Sequence, residues 1–206
     1  MTGDVVESSG LARVDRQALP TLLKRIGRDL RKAFPKAVPM ELDVFRGDSW
    51  QLIVSDPAMS IRAGLFFRAG VIASNPAGQR IDTRMAIATG TVDFVSKRVS
   101  EGDGSAYRAS GKGLDALPDQ VRMSFTGAGG AGEGVAMTLL DAIVQDWTGL
   151  QARAVMGRLR GWTQAEISTL WPKSISQQSV ARHLERAHWP AVESALRYLE
   201  DSLSRL

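Results

Sequence analysis

The stretch Met40-Glu-Leu-Asp-Val-Phe-Arg-Gly-Asp-Ser-Trp-Gln-Leu-Ile-Val54 sets the pattern for the first half of the chain. Apolar and β-branched residues stand on both sides of Arg46-Gly47-Asp48, which predicts a hairpin with a tight turn. Gly47 gives that turn the freedom to adopt a positive φ. A carboxylate at a hairpin tip is well held and stays hydrated, as a ligand of a hard metal ion must. Asp48 is therefore either a metal ligand or simply a turn former.

Further strands and helices are predicted on both sides of this hairpin from the spacing of apolar residues. The predicted strands lie near residues 1–6, 42–45, 51–54, 82–95 and 120–125, and the predicted helices cover residues 18–34, 57–72 and 105–117. Strands separated by helices, with one hairpin between them, predict an α+β sandwich of ferredoxin-like plan.

The second part of the chain has a different composition. Residues 126–134 are almost all glycine and alanine, which predicts a flexible connector, and the chain reads as helix from Val135 onward. We therefore expect an α+β domain over residues 1–133, a connecting helix over 134–147 and an all-α domain over 148–206. The last helix carries an apolar stripe through Leu196, Leu199 and Leu203, from which we expect a homodimer.

Composition excludes several classes of site. The chain of 206 residues has no cysteine and two histidines, which rules out thiolate sites and makes a zinc centre or a histidine-based triad improbable. No apolar run approaches the ~20 residues of a transmembrane helix, so we expect a soluble, cytoplasmic protein without a membrane partner. The net charge of +4 favours a nucleic-acid or nucleotide partner.

Residues 161–184 resemble a helix-turn-helix of the short form found in sigma-factor-like and resolvase-like regulators. The matching segments are Thr163-Gln-Ala-Glu-Ile167, Ile175-Ser-Gln-Gln-Ser-Val180 and Arg182-His-Leu184. The turn between the two helices is longer than the common three or four residues. The alternative is a plain helical bundle that mediates oligomers. The resemblance implies contacts with double-stranded DNA from Lys173, Ser176, Gln177, Gln178 and Arg182, with Val180 and Leu184 buried.

The first part of the chain resembles the palm-like catalytic domain of class III nucleotidyl cyclases. The likeness is strongest at Asp4-Val-Val-Glu-Ser8, Phe45-Arg-Gly-Asp48-Ser, residues 84–92 and residues 104–112. Together with a helix-turn-helix tail, it is most similar to the SatD-like family. The resemblance implies that Asp4 and Asp48 hold Mg²⁺ or Mn²⁺, that Ser8, Gly47, Arg108 and Lys112 bind a nucleotide, and that Arg108 and Lys112 are the candidate catalytic residues.

Two positions depart from the cyclase pattern. Val44 stands where cyclases carry a base-recognising lysine, and Arg108 stands where they carry an asparagine. Three functions follow from the resemblances. We prefer a DNA-binding regulator whose cyclase-like domain binds or senses a nucleotide. The alternatives are an active nucleotidyl cyclase or nucleotidyltransferase that uses two metal ions, and a non-catalytic oligomerisation platform.

Overall fold

A mixed five-stranded sheet forms the centre of the first part of the chain. The computed structural model describes residues 1–74, 79–93, 97–127 and 131–205. The strands are β1 (Thr2–Val5), β2 (Asp43–Phe45), β3 (Ser49–Gln51), β4 (Thr83–Ala88) and β5 (Met123–Thr126), in the order β2-β3-β1-β4-β5. β1 runs antiparallel to β3 and β4, β2 is antiparallel to β3, and β5 is parallel to β4. The predicted α+β class is confirmed.

Helices cover both faces of the sheet. In chain order, the helices of the described residues are α1 (Arg13–Ala33), α2 (Pro57–Ser74), α3 (Ser105–Asp115), α4 (Ala131–Gln145), α5 (Gly149–Leu159), α6 (Gln164–Ser168), α7 (Gln177–Arg186) and α8 (Trp189–Leu203). α2 packs on one face, where the rings of Trp50 and Phe67 lie 4.4 Å apart. α3 covers the other face, where the hydroxyls of Thr2 and Ser110 are 2.9 Å apart. In the described residues, no helix is both long enough and apolar enough to cross a bilayer.

α2 is buried around nearly its whole circumference. Residues 60–73 are buried with the exception of the half-buried Arg62. The helix contacts α1, β4, α5 and α8, and glycines let it approach two of its neighbours closely. Gly64 faces Ile87 of β4, and Gly70 faces Ile26 of α1. A single hydrophobic core therefore includes residues of the sheet and residues of the C-terminal helices.

Arg68 of α2 is a fully buried cation at the centre of this core. Its Nε and Nη2 each donate to Asp82 at 2.9 Å, and its Nη1 donates to Asp141 of α4. Burial alone would lower the pKa of Arg68, but the hydrogen bonds and the charges of the two carboxylates outweigh it and raise that pKa. Asp141 also accepts a hydrogen bond from the backbone N–H of Arg122 at 2.9 Å. The ion cluster thus joins α2, the segment before β4, α4 and the start of β5.

Several predicted boundaries differ from the observed ones. The hairpin turn is confirmed, with φ of 53° at Arg46 and 87° at Gly47. α1 begins at Arg13, before the predicted residue 18, because its first five residues are polar apart from the exposed Val14 and an apolar spacing cannot reveal them. The predicted strand 82–95 ends at Ala88, and residues 94–96 lie outside the described residues. α4 begins at Ala131, inside the predicted connector, of which residues 128–130 also lie outside the described residues.

The apolar stripe of α8 does not form an open surface. Leu196, Leu199 and Leu203 are at most 1% exposed and belong to the common core of this chain. The helix packs against α2 and α4, two elements whose place in the core the sequence did not reveal. The stripe therefore lends no support to a homodimer, which stays a prediction.

Candidate functional site

Several of the predicted site residues line one open cleft at the end of β1. Because β1 is antiparallel to β3 and β4, its C-terminal end lies beside the start of both neighbours. The cleft has a volume of about 460 Å³ and is lined by Asp4, Val5, Val6, Glu7, Ser8, Ser9, Asp48, Arg84, Asp119 and Arg122. We call it the β1 cleft. Asp4, Ser8 and Asp48 all line it.

Asp48 is held at the rim of the β1 cleft by hydroxyl groups. Ser8 Oγ donates to one carboxylate oxygen at 2.5 Å, and Ser49 Oγ donates to the other at 3.3 Å. Gly47, next to it, supplies the positive φ of the turn. Hydroxyl partners leave the negative charge of the carboxylate uncompensated, so Asp48 retains the character of a ligand for a hard cation.

Asp4 is engaged by a partner that the sequence analysis did not assign. Nε of Arg84 donates to Asp4 Oδ1 at 2.8 Å, and Nη2 donates to Oδ2 at 3.1 Å. The hydrogen bond with Asp4 raises the pKa of Arg84. A metal ion at Asp4 would have to share the carboxylate with this guanidinium or displace it. Across the described part of the chain, no three histidine, cysteine, aspartate or glutamate side chains are grouped so that they could hold a metal ion.

The β1 cleft is acidic on balance. It contains four carboxylates, those of Asp4, Glu7, Asp48 and Asp119, against the two guanidiniums of Arg84 and Arg122. The guanidinium of Arg122 donates to the backbone carbonyl of Asp119. Because carboxylates outnumber guanidiniums by two, the cleft suits a cation, or a phosphate accompanied by a cation, better than a bare anion. Asp48 is the residue that would hold such an ion.

Arg108 and Lys112 lie elsewhere. They line a separate cleft of about 540 Å³ on the outer side of α3, together with Ser105 and Thr126. Arg108 donates to Asp103 at 2.6 Å and lies 3.9 Å from Asp93. Arg108 and Lys112 lie one helical turn apart on α3, which holds them away from the end of β1. The structure thus does not bring these two cations to Asp4 and Asp48; Arg84 and Arg122 occupy that place.

The segment that resembles a helix-turn-helix has the exposure pattern that was predicted for DNA contact. Val180 and Leu184 of α7 are buried, while Lys173, Ser176, Gln177, Gln178 and Arg182 are exposed. Ser176 caps α7 and accepts a hydrogen bond from the N–H of Ser179 at 3.1 Å. Thr163 and Glu166 form a complete capping box at α6. Backbone and side-chain hydrogen bonds from Thr163 lower the pKa of Glu166.

The long turn between α6 and α7 is folded back onto α7. Trp171 stacks on His183 with ring centroids 5.7 Å apart and an interplanar angle of 14°. The guanidinium of Arg153 also lies 5.7 Å from the centre of the Trp171 ring. These contacts hold the extra residues of the turn against the helices, so the turn does not swing α7 away from α6.

Comparison with family models, with curated proteins and with solved structures gives no match for this chain. Two surfaces of the chain therefore bear on its function, the β1 cleft and the exposed side of α7.

Proposed function

We propose that this chain is a DNA-binding regulatory protein whose sheet domain binds a nucleotide together with a divalent cation. The observation that carries the proposal is the exposed side of α7, where Gln177, Gln178 and Arg182 face solvent opposite the buried Val180 and Leu184. A glutamine can pair with both edge atoms of adenine in the major groove, and an arginine can do so with guanine. Lys173, in the turn, is placed for phosphate contact.

DNA binding is tested by fluorescence anisotropy with duplexes enriched from genomic fragments at several salt concentrations. Arg182→Ala should weaken binding by about 1–3 kcal/mol and relax the preference at one base pair. Lys173→Ala should weaken binding to all sequences alike and lower the salt slope by about one. Arg197→Ala, which removes an exposed arginine from α8, serves as the control and should bind like wild type. Absence of binding even at low salt would refute the proposal.

The topology of the sheet supports the finer fold assignment that we propose. Four strands in the order β4-β1-β3-β2, all antiparallel to their neighbours and joined as βαββαβ, have the arrangement of a ferredoxin-like fold. Nucleotidyl cyclase-like palms share that plan. We infer a palm-like domain followed by a helix-turn-helix, which is the combination implied by the resemblance to the SatD-like family.

Nucleotide binding is proposed at the β1 cleft, where the excess of carboxylates calls for a cation beside the phosphates. Thermal-shift measurements with nucleoside triphosphates, with and without Mg²⁺ or Mn²⁺, test it, because a ligand of the native state raises the Tm. The shift should require the metal ion and should be lost in Asp48→Asn. Arg108→Ala should keep it, since Arg108 lines another cleft. A shift that is lost in Arg108→Ala and kept in Asp48→Asn would instead assign the ligand to the cleft on α3.

The two alternative functions have less support from the geometry. Turnover by two metal ions requires Asp4 as a metal ligand, and each of its oxygens already accepts a hydrogen bond from Arg84. It also requires cations at the phosphates, and the proposed pair lies in a different cleft. A non-catalytic oligomerisation platform gains no support from the apolar stripe on α8, which is buried within the chain. A homodimer stays part of the proposal because paired half-sites suit two-fold symmetry, and light scattering measures it directly.

A further inference from the structure

The positive charge of the protein is concentrated on α1. This helix has seven basic and two acidic side chains, whereas the whole chain has 26 and 22. α1 is therefore net positive by five, and the remainder of the chain is net negative by one. The charge that attracts a polyanion to this protein thus lies mainly on one helix of the sheet domain.

The basic side chains of α1 are all exposed, and five of them form one continuous surface. Lys24, Arg28 and Lys32 follow one another at intervals of four residues, with Arg25 and Arg31 beside them. We call these five residues the α1 basic face. The opposite side of the helix is buried through Leu19, Leu23, Ile26 and Leu30. Since α1 has 21 residues, its length is about 30 Å, close to one helical turn of DNA.

A groove connects the α1 basic face with the turn of the helix-turn-helix. It has a volume of about 750 Å³, and its lining includes Arg25, Asp29, Arg153, Arg160 and Trp171. Pro172 also lines it, and Lys173 follows directly in the chain. Three arginines and one aspartate thus line the groove. Positive side chains therefore continue from α1 across the groove to the residue that precedes α7 in the turn.

α7 itself offers little positive charge. Its exposed side has Arg182 and Arg186, partly offset by Glu185. Phosphate contacts provide most of the sequence-independent affinity of DNA-binding proteins, and that term grows with the number of phosphates neutralised. A protein that met DNA through α7 and Lys173 alone would therefore bind weakly at physiological salt.

We propose that the α1 basic face is a second DNA-binding surface, which contacts the phosphate backbone of the duplex that flanks the site of α7. This inference rests on the proposed function and extends it, because the sheet domain then takes part in holding DNA. The α1 basic face consists of arginine and lysine with no apolar side chain among them, and this composition suits contact with phosphates. An anionic membrane surface would favour interspersed apolar side chains, and the exposed apolar residue on α1, Val14, lies at its far N-terminal end.

The test uses the full-length chain and a fluorescein-labelled 36-bp duplex of mixed sequence, since phosphate contacts do not depend on sequence. One phosphate contact contributes about 0.9 to the salt slope, which corresponds to about eightfold in affinity at ~0.1 M salt. Arg28→Ala and Lys32→Ala should each show this loss, and the double variant should lower the slope by about two. Arg197→Ala is the matched control and should bind as wild type does. The substituted side chains are exposed, and thermal melts confirm that each variant is folded.

The outcomes separate this inference from the proposed function. If Arg28→Ala, Lys32→Ala and the double variant all bind like Arg197→Ala while Arg182→Ala weakens binding to an enriched duplex, the inference is overturned and the proposed function stands. If the α1 variants weaken binding and Arg182→Ala has no effect on any duplex, the inference stands and recognition by α7 fails. Sedimentation of the wild-type chain with anionic lipid vesicles, in the absence of any DNA binding, would overturn both.

Discussion

At the residue scale, His183 is the side chain that fixes the long turn before α7. It is half-buried on α7, and its ring stacks on Trp171 from the turn. Burial and the neighbouring charge of Arg186 lower the pKa of His183 below its usual value of 6.5. The folded protein therefore favours the neutral imidazole.

This preference makes stability depend on pH. Because the pKa of His183 is lower in the folded state, the unfolded chain binds more protons between the folded and unfolded pKa values. The stabilisation is fully present above pH 6.5 and is lost as the pH falls through the folded pKa. His183→Phe keeps a stacking ring and removes the titration. We expect the Tm of wild type to fall more than that of the variant between about pH 8 and about pH 5.5. Equal decreases would contradict this account.

At the element scale, α2 is held by an almost completely buried ion cluster, which the partly exposed Arg80 joins through Asp82. Arg68 binds Asp82 and Asp141, and all three side chains are at most 5% exposed. Charges are buried in this way only where they are paired, so removal of one partner leaves the others uncompensated. The cost is largest for Arg68 because it balances two carboxylates.

Arg68→Met should therefore destabilise the protein by about 3–5 kcal/mol. Arg62→Met, on the same helix, removes an arginine whose partner Glu200 is 23% exposed at the surface of α8, and it should cost less. Urea titrations give both free energies of unfolding, provided that the slopes with denaturant are unchanged. If the two variants lower the free energy of unfolding equally, the buried cluster does not stabilise the protein more than the Arg62–Glu200 pair does.

At the scale of the whole molecule, the sheet and the C-terminal helices share one core. The guanidinium of Arg160, just after α5, lies 4.8 Å from the ring centre of Phe66 in α2, and Arg62 of α2 binds Glu200 of α8. We therefore expect a single cooperative thermal transition in which the calorimetric and van't Hoff enthalpies agree. A fragment of residues 1–133 should expose the apolar surface of α2 and bind a hydrophobic dye. Two separate transitions, or a folded and monodisperse fragment, would contradict the prediction and favour independent domains.

The sequence predicted local features better than the arrangement of the parts. The hairpin turn at Gly47 and the two-sided character of α7 follow from interactions between residues close in sequence, and the structure contains both. The pairing of Asp4 with Arg84 and the separation of Arg108 from the β1 cleft depend on how distant elements meet. The spacing of residues within one segment carries no information about such contacts between distant elements. The stripe on α8 shows the same limit, because an apolar face specifies burial without specifying the partner.

The burial of α2 around nearly its whole circumference has a consequence for the synthesis of the protein. The helix is finished at Ser74, whereas α8, which covers part of it, ends at Leu203. At a translation rate of about 5–20 residues per second, the intervening chain takes roughly 6–26 seconds to emerge. During that interval the nascent chain exposes the apolar surface of α2 that α5 and α8 later cover. We expect ribosome-bound intermediates that end between α2 and α8 to recruit chaperones, and their release to coincide with the emergence of α8.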